Sequence, residues 1–313
     1  MNKKRLFTGL QPSGELHIGN YFGALKPFVD MYEEFDSHLC VVDYHALTTV
    51  RDPKELNRNI IEITKAYLAS GVNPEKTILF KQSDVLQHTE LAWIFECLVT
   101  VPFLMQAHSY KDKVAKGLEA NAGLFNYPML MAADILLYDA EVVPVGADQR
   151  QHIEYAREAA GKFNRAYGDI FVIPEEKILD SVGVVPGIDG QKMSKSYKNT
   201  IPLFGTEDEV KSAVMSIVTD SDGDLPEHVY AIHKLFKTEE ELKPLYEENK
   251  GRYGDLKKLL LEDIEALIAP MREKRNSISD DDVRAVLVDG GKKARERAEA
   301  KMQDVREAVG ISL

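Results

Sequence analysis

Along the first two-thirds of the chain, apolar residues fall in short runs separated by segments of helical period. Arg5 to Leu10 reads as a strand, Gly9-Leu-Gln-Pro-Ser-Gly14 as a turn, and a helical pattern follows from Ile18 to about Phe35. Leu39-Cys-Val-Val42 is a second apolar run, short enough for a buried parallel strand. Asp52 as an N-cap, Pro53 at the first helical position and Glu55 in the first turn open a helix. It should run to about Ala69 and end at Gly71. Thr77-Ile-Leu-Phe80 and Ala140 to Val145 read as the third and fourth strands. Strands separated by helices require right-handed crossovers and a parallel sheet.

The pattern changes after about residue 205. Thr206 with Glu209, and Thr238 with Glu241, have the spacing of capping boxes. Leu256, Leu259, Leu260, Ile264, Leu267 and Ile268 recur at helical spacing, and Ala294, Ala298, Met302, Val305 and Val309 form the apolar stripe of a last helix. The expected architecture is α/β over residues 1–205, with a parallel sheet, then an all-helical region over 206–313. No internal repeat or low-complexity segment interrupts either part.

Composition narrows the class. A length of 313 residues suits roughly two domains of about 150 residues each. Hydrophobic residues at 44% and charged residues at 29% exclude a disordered tail, a collagen or a membrane bundle. No apolar run reaches about 18 residues, so no membrane span is expected. The basic start, Met1 to Arg5, leads into Gly9, Pro12 and Gly14 rather than an apolar stretch, so no signal peptide is expected. Cys40 and Cys97 form no CxxC pair, and no His/Cys group has zinc spacing. The expectation is a reducing cytoplasm, no structural metal and no metal ligand from the protein. The net charge of −12 weighs against a protein that coats DNA or RNA. It leaves room for one that grips nucleic acid on a local patch.

Three segments carry candidate chemistry. Gln11-Pro-Ser-Gly-Glu-Leu-His17-Ile-Gly19-Asn20 lies between the first strand and the first helix. Glycines there let backbone approach a phosphate, and a helix N-terminus attracts its charge. His17 and Asn20 can donate hydrogen bonds. Taken alone, this is equally a strand-to-helix turn with a capping asparagine. Lys192-Met-Ser-Lys195-Ser196 lies in a polar, glycine-containing loop. Its two lysines suit a loop closing over a triphosphate, supplying charge where a pyrophosphate leaves. Taken alone, it would be a solvated loop.

In this order the two segments resemble the HIGH and KMSKS elements of class I aminoacyl-tRNA synthetases. The second matches without change; the first has Asn20 where histidine is usual, a variant familiar in the tryptophan and tyrosine branch. Asparagine keeps a donor but has no titratable group, so a binding role is expected. The third segment, Tyr127-Pro-Met-Leu-Met131-Ala-Ala-Asp134-Ile-Leu-Leu-Tyr138, reads as an apolar helix with one carboxylate. Val143-Pro-Val145-Gly146-Ala-Asp148-Gln149-Arg-Gln-His152 follows as strand, turn and helix start. With Phe7-Thr-Gly-Leu-Gln-Pro-Ser-Gly and Val41-Val-Asp-Tyr-His45, these resemble the tryptophanyl-tRNA synthetase family over about the first 220 residues.

The resemblance implies a Rossmann-like catalytic domain and a helical anticodon-binding region whose last helix packs back on the catalytic domain. It also implies a homodimer with tRNA(Trp), L-tryptophan and ATP with Mg²⁺ as partners, and no membrane or DNA. Asp134 would accept from the indole N–H, which can only donate. Phe7, Met131, Val143 and Val145 would wall the ring. Tyr127 and Gln149 would hold the ammonium and carboxylate, with His45 lining the pocket, although a lone histidine is more often structural. For ATP the implied set is Gln11, Ser13, Gly19, Asn20, Lys111, Lys113, Gly146, Asp148, Lys192, Met193, Ser194, Lys195 and Ser196. Of these, Asn20, Lys192 and Lys195 would work with His17 in catalysis.

The implied reaction joins the tryptophan carboxylate to the α-phosphate of ATP, releases pyrophosphate, and passes the acyl group to a ribose hydroxyl at the tRNA 3′ end. The nucleophile is already ionised near neutral pH, so no general base is needed. Three other readings remain: a tyrosyl-tRNA synthetase, a small-molecule nucleotidylyltransferase with a HIGH-like turn, and a synthetase-like paralogue that only senses tryptophan or binds RNA. Lys292, Lys293, Arg295, Arg297 and Lys301 stand against Glu296 and Glu299, with Arg272, Lys274 and Arg275 upstream. This run is either a solvated helix face or a tRNA-backbone patch, whose mark would be salt-sensitive binding.

Overall fold

The computed structural model describes residues 3–107, 110, 111, 115, 121–145, 150–178, 185–219 and 225–312. Its sheet has five parallel strands: β1 (Arg5–Leu10), β2 (Asp36–Val41), β3 (Thr77–Lys81), β4 (Val142–Val145) and β5 (Glu175–Ile178). Their spatial order is β3-β2-β1-β4-β5, so the switch point lies between β1 and β4. That crevice is where open parallel sheets hold ligands. Successive residues alternate between two cores: Leu6, Leu39, Val41, Leu79 and Val142 face one side, Phe7, Cys40, Phe80 and Val143 the other. Burial on both faces is why these strands read as unbroken apolar runs.

Ahead of the sheet's C-terminal rim come α1 (Ile18–Asn20), a π-helical turn (Tyr21–Leu25) and α2 (Lys26–Met31). The sequence pattern predicts one helix to Phe35; the structure widens it at Tyr21–Leu25 and ends it earlier. Pro27 has no N–H for the carbonyl four residues back, and Lys26 bonds instead to the Tyr21 carbonyl. After β2 come α3 (Asp43–Ala46) and α4 (Pro53–Ala69). Asp52 accepts from the Lys54 N–H at 2.9 Å, and Gly71 leaves the helix at φ +108°. The second face carries α5 (Gln87–Glu96), α6 (Val101–Leu104), α7 (Ala122–Leu136) and α8 (Arg150–Tyr167). The pattern missed β5 because Glu175, Glu176 and Lys177 are polar; it pairs with β4 alone, at the sheet edge.

The remainder is helical: α9 (Glu207–Met215), α10 (Glu227–His233), α11 (Glu239–Glu248), α12 (Tyr253–Ser277) and α13 (Asp280–Val309). Thr206 and Thr238 form the expected capping boxes, and Ser279 with Asp282 forms a third. Val283 and Leu287 of α13 join the first core, whereas Ala294, Ala298, Met302 and Val305 join the second. The helix changes sides by crossing β3 at Gly290. A Cβ there would stand 1.8 Å from the Leu79 carbonyl oxygen, so only glycine permits the crossing.

This crossing also changes the reading of the basic run. Arg295 donates to the Asp84 carbonyl at 2.8 and 3.1 Å. Arg297 pairs with Asp36 at 2.8 Å, and Lys301 with Asp139 at 2.7 Å. Arg306 forks onto Glu90 with two 2.7 Å bonds. These cations fasten α13 to the sheet rim and α5. Lys292 and Lys293 lie on the exposed face.

Candidate active site

The turn after β1 and the Lys192–Ser196 loop meet over the N-terminus of α1. Ile18 donates to the Ile201 carbonyl at 3.0 Å, and Leu203 to that of Leu16 at 2.9 Å, so the strand-like segment after the loop runs beside His17. Lys195 Nζ donates to the Ser13 carbonyl at 2.8 Å. A Cβ on Gly19 would stand 2.9 Å from His17 Nδ1 and 3.3 Å from Met193 Cβ, so this glycine lets the two segments close. Asn20 Oδ1 accepts from the His17 backbone N–H at 3.1 Å. The residue that replaces histidine in the HIGH pattern therefore caps the helix with its oxygen. His17 is buried, and burial, then the nearby Lys195 charge, lowers its pKa to about 4. Its Nδ1 is buried without a hydrogen-bond partner among the described residues.

The loop is braced from within by Asn199, which is almost fully buried. Its oxygen accepts from the Ser194 N–H at 2.7 Å, and its nitrogen donates to Asp189 at 2.7 Å and to the Lys192 carbonyl at 3.1 Å. A Cβ on Gly187 would come within 2.4 Å of that side chain. Lys257 of α12 donates to the Met215 and Ile217 carbonyls at 3.0 and 2.6 Å, and Val218 donates to the Ile188 carbonyl at 2.8 Å. The loop thus hangs on the helical region through backbone.

Beneath lies the second constellation. Asp134, 1% exposed on α7, has both oxygens engaged. Oδ2 lies 3.0 Å from His45 Nε2; Oδ1 lies 2.7 Å from Gln82 Nε2 and 2.6 Å from His88 Nδ1. Gln82 is oriented by the Tyr44 backbone N–H, which donates to its oxygen at 3.0 Å and leaves its nitrogen facing Asp134. Burial alone would raise this carboxyl; the His45 hydrogen bond and the charge and hydrogen bond of His88 outweigh it and hold it well below the usual carboxylate range. Phe7 and Val143 are buried nearby in the same core, with Met131 half-buried against it. Phe7 stacks on Tyr138 at 5.7 Å between ring centroids. Tyr127 bonds His152 Nε2 through its hydroxyl at 2.7 Å and meets His45 edge-on at 6.2 Å.

A buried acceptor among apolar side chains, with a glycine-containing turn and a lysine loop on the same sheet, suits an amino-acid-activating enzyme. The sequence profile of class I tRNA synthetases (W and Y) matches residues 1–279. The chain belongs to that synthetase family. A tryptophan–tRNA ligase from Fusobacterium nucleatum is 46% identical over 320 residues, covering 98% of both chains. A crystal structure of tryptophanyl-tRNA synthetase from Campylobacter jejuni, complexed with ADP and tryptophan, superposes with TM-score 0.91 and 44% identity. It covers 98% of this chain and 99% of that one. The enzyme from Mycoplasma pneumoniae superposes with TM-score 0.86 and 28% identity, covering 99% and 98%.

Within this synthetase fold, the structure groups Ser13, His17, Gly19, Asn20, Met193, Ser194 and Lys195 in one place, and Phe7, His45, Met131, Asp134 and Val143 in another. Gln11 lies at the start of the turn, half-buried; Lys192 and Ser196 are exposed on the loop. Lys111 is also exposed, its N–H bonded to the Ala107 carbonyl at 3.0 Å. Lys113, Gly146, Asp148, Gln149 and the Val145 side chain lie outside the described residues. The sequence reading missed Gln82, His88, Asn199 and Lys257. Gln82 and His88 sit in polar stretches that carry no motif, and only the fold brings them to Asp134.

Proposed function

We propose that this synthetase activates L-tryptophan with ATP and transfers it to tRNA, the activity its relatives' names carry. The observation that supports tryptophan most directly is Asp134: a buried carboxylate kept ionised among apolar side chains suits a ring that can only donate. Among the described residues Oδ2 has a single partner, His45, which leaves it a lone pair for an indole N–H. Phe7, Met131, Val143 and Val145 are the proposed walls; Tyr127 and Gln149 would take the α-ammonium and carboxylate.

For ATP, the turn of Gln11, Ser13 and Gly19 would receive the phosphates, with Gly146, Asp148, Lys111 and Lys113 on the nucleotide's other sides. Neutral His17 offers its Nδ1, which has no hydrogen-bond partner among the described residues, and Asn20 keeps its amide nitrogen as a donor once its oxygen is spent on the cap. Lys192 and Lys195 would neutralise charge on the leaving pyrophosphate, with Met193, Ser194 and Ser196 shaping the loop around it. Catalysis then rests on holding carboxylate and α-phosphate in line. Mg²⁺ would enter on the phosphate oxygens and add positive charge there. No group of three His, Cys, Asp or Glu that could hold a metal stands together among the described residues.

Residues 206–313 are proposed as the tRNA anticodon-binding region, tRNA(Trp) as the acceptor, the cytoplasm as the compartment and a homodimer as the working state. The exposed side chains of Trp93, Val101 and Met105 on and beside α5 and α6 support an apolar contact with a second copy. Among the described residues no helix is long and apolar enough to cross a membrane. Amino-acid-dependent ATP–pyrophosphate exchange tests the reading. Exchange with tryptophan and not tyrosine is expected; exchange with tyrosine alone would overturn it, and none with either would favour a nucleotidylyltransferase or a binding paralogue.

A further inference from the structure

A chain of polar contacts reaches Asp134 at Oδ1, the oxygen that does not meet His45. His88, fully buried on α5, places Nδ1 2.6 Å from Asp134 Oδ1. Its Nε2 lies 2.9 Å from the Tyr138 hydroxyl. Tyr138, also buried, stacks its ring on Phe7 and, at 4.8 Å, on His38. Arg297 of α13 stands 3.1 Å from His38 Nε2.

The protons in this chain follow from donor and acceptor chemistry. An ionised carboxylate only accepts, so His88 must present Nδ1–H to it. Its Nε2 meets the Tyr138 hydroxyl, which can donate or accept there. Tyr138 therefore holds the ring of His88 in place, and His88 joins Gln82 in holding Oδ1, so that Oδ2 is the oxygen turned to His45. Without that tie Gln82 alone would hold Oδ1. Second contacts of this kind set the orientation and basicity of a ligand-binding group.

We infer that His88, held by Tyr138, is a positioning residue that works with Gln82 on Oδ1 of Asp134, keeps Oδ2 aimed as the acceptor for the indole N–H, and so determines specificity for the nitrogen of the ring. This rests on the proposed role of Asp134. It predicts an effect confined to the N–H itself, not to ring size or shape.

The test compares kcat/KM in ATP–pyrophosphate exchange for tryptophan and for 3-benzothienylalanine, in which sulfur replaces the N–H. Tyr138→Phe should lower the tryptophan value about 3- to 10-fold, the worth of one hydrogen bond, and leave the sulfur analogue within about 2-fold. His88→Leu should lose more. His88→Asn, whose amide nitrogen takes the place of Nδ1, should recover much of the loss. Equal losses on both substrates, or no loss on tryptophan, would overturn the inference. Tyr138→Phe removes a single oxygen and decides the matter should the leucine variant fail to fold. Asp134→Ala separates the two layers. If it leaves the preference for tryptophan over the analogue intact, the reading of Asp134 fails. If it abolishes the preference while the Tyr138 and His88 variants keep theirs, only the positioning role fails.

Discussion

Lys195 Nζ donates to the Ser13 carbonyl at 2.8 Å, across 182 residues of chain. The bond spends an ammonium on a backbone oxygen where phosphates are proposed to bind. Burial lowers its pKa, with Glu15 opposing. The same lysine can therefore close the loop before ATP arrives and turn to the phosphates afterwards. Lys195→Ala should slow activation about 10²- to 10³-fold, the usual effect of removing one such donor. Tryptophan binding, followed by fluorescence quenching, should change little. Equal losses in both would argue against a transition-state role.

Asp134→Ala should cost about 1–3 kcal/mol in tryptophan kcat/KM, the penalty of an unmade buried hydrogen bond. The same substitution strips His45, Gln82 and His88 of their common acceptor. A lowered melting temperature should accompany the kinetic loss, and an unchanged preference for tryptophan over tyrosine would sink the assignment.

Much of this was legible in the chain, for physical reasons that differ by element. β1 and α4 declare themselves because their caps and apolar runs are local; Asp52-Pro53 sets the start of a helix whatever packs on it. β5 did not, since its few residues are mostly polar and become a strand only by pairing with β4. The turn after β1 and the Lys192–Ser196 loop were readable as motifs. The partners of Asp134 were not: Gln82, on the turn after β3, and His88, on α5, lie 52 and 46 residues upstream and meet it only when the fold packs both against α7. The basic run stayed open because composition cannot tell a cation facing solvent from one bonded to a sheet rim.

Stability should fall as pH drops from about 6.5 toward 4. His17 and His38 each have a folded pKa of about 4, the first through burial and Lys195, the second through burial and Arg297. In the unfolded chain both take a proton near 6.5, so in that window the unfolded state binds more protons and gains on acidification. Above it they contribute no slope. Urea unfolding at steps from pH 7.5 to 4.5 checks this; stability that stayed flat or rose would show that the folded imidazoles charge. A neutral His17 also predicts no loss of activation rate with a midpoint near 6.5 attributable to that residue.

Gly290→Ala should be among the most damaging single-methyl additions to this chain. Its Cβ would meet the Leu79 carbonyl at 1.8 Å, and backbone on both sides must move. A loss of about 1–3 kcal/mol or more is expected, read as a fall in denaturant midpoint. Gly254→Ala in α12 is the control: nothing lies within 4 Å of the new methyl, and a gain of about 0.5–1 kcal/mol is expected. Similar effects at both sites would refute the crossing geometry.

Arg297→Ala and Lys301→Ala should lower the melting temperature more than they weaken tRNA binding, because their charges are spent on Asp36 and Asp139. The salt dependence of tRNA affinity should change by less than about one unit of slope for either. A full unit lost at unchanged stability would restore these residues to the tRNA-contact surface.

The path of α13 has a consequence for the chain as it is being made. One helix at the end of the sequence supplies Val283 and Leu287 to one apolar layer and Ala294 to Val305 to the other. Neither layer can close until those residues have left the ribosome, although the turn after β1 and the Lys192–Ser196 loop have emerged long before. The nascent protein therefore carries both of those segments on a sheet whose β3 rim is bare until α13 follows.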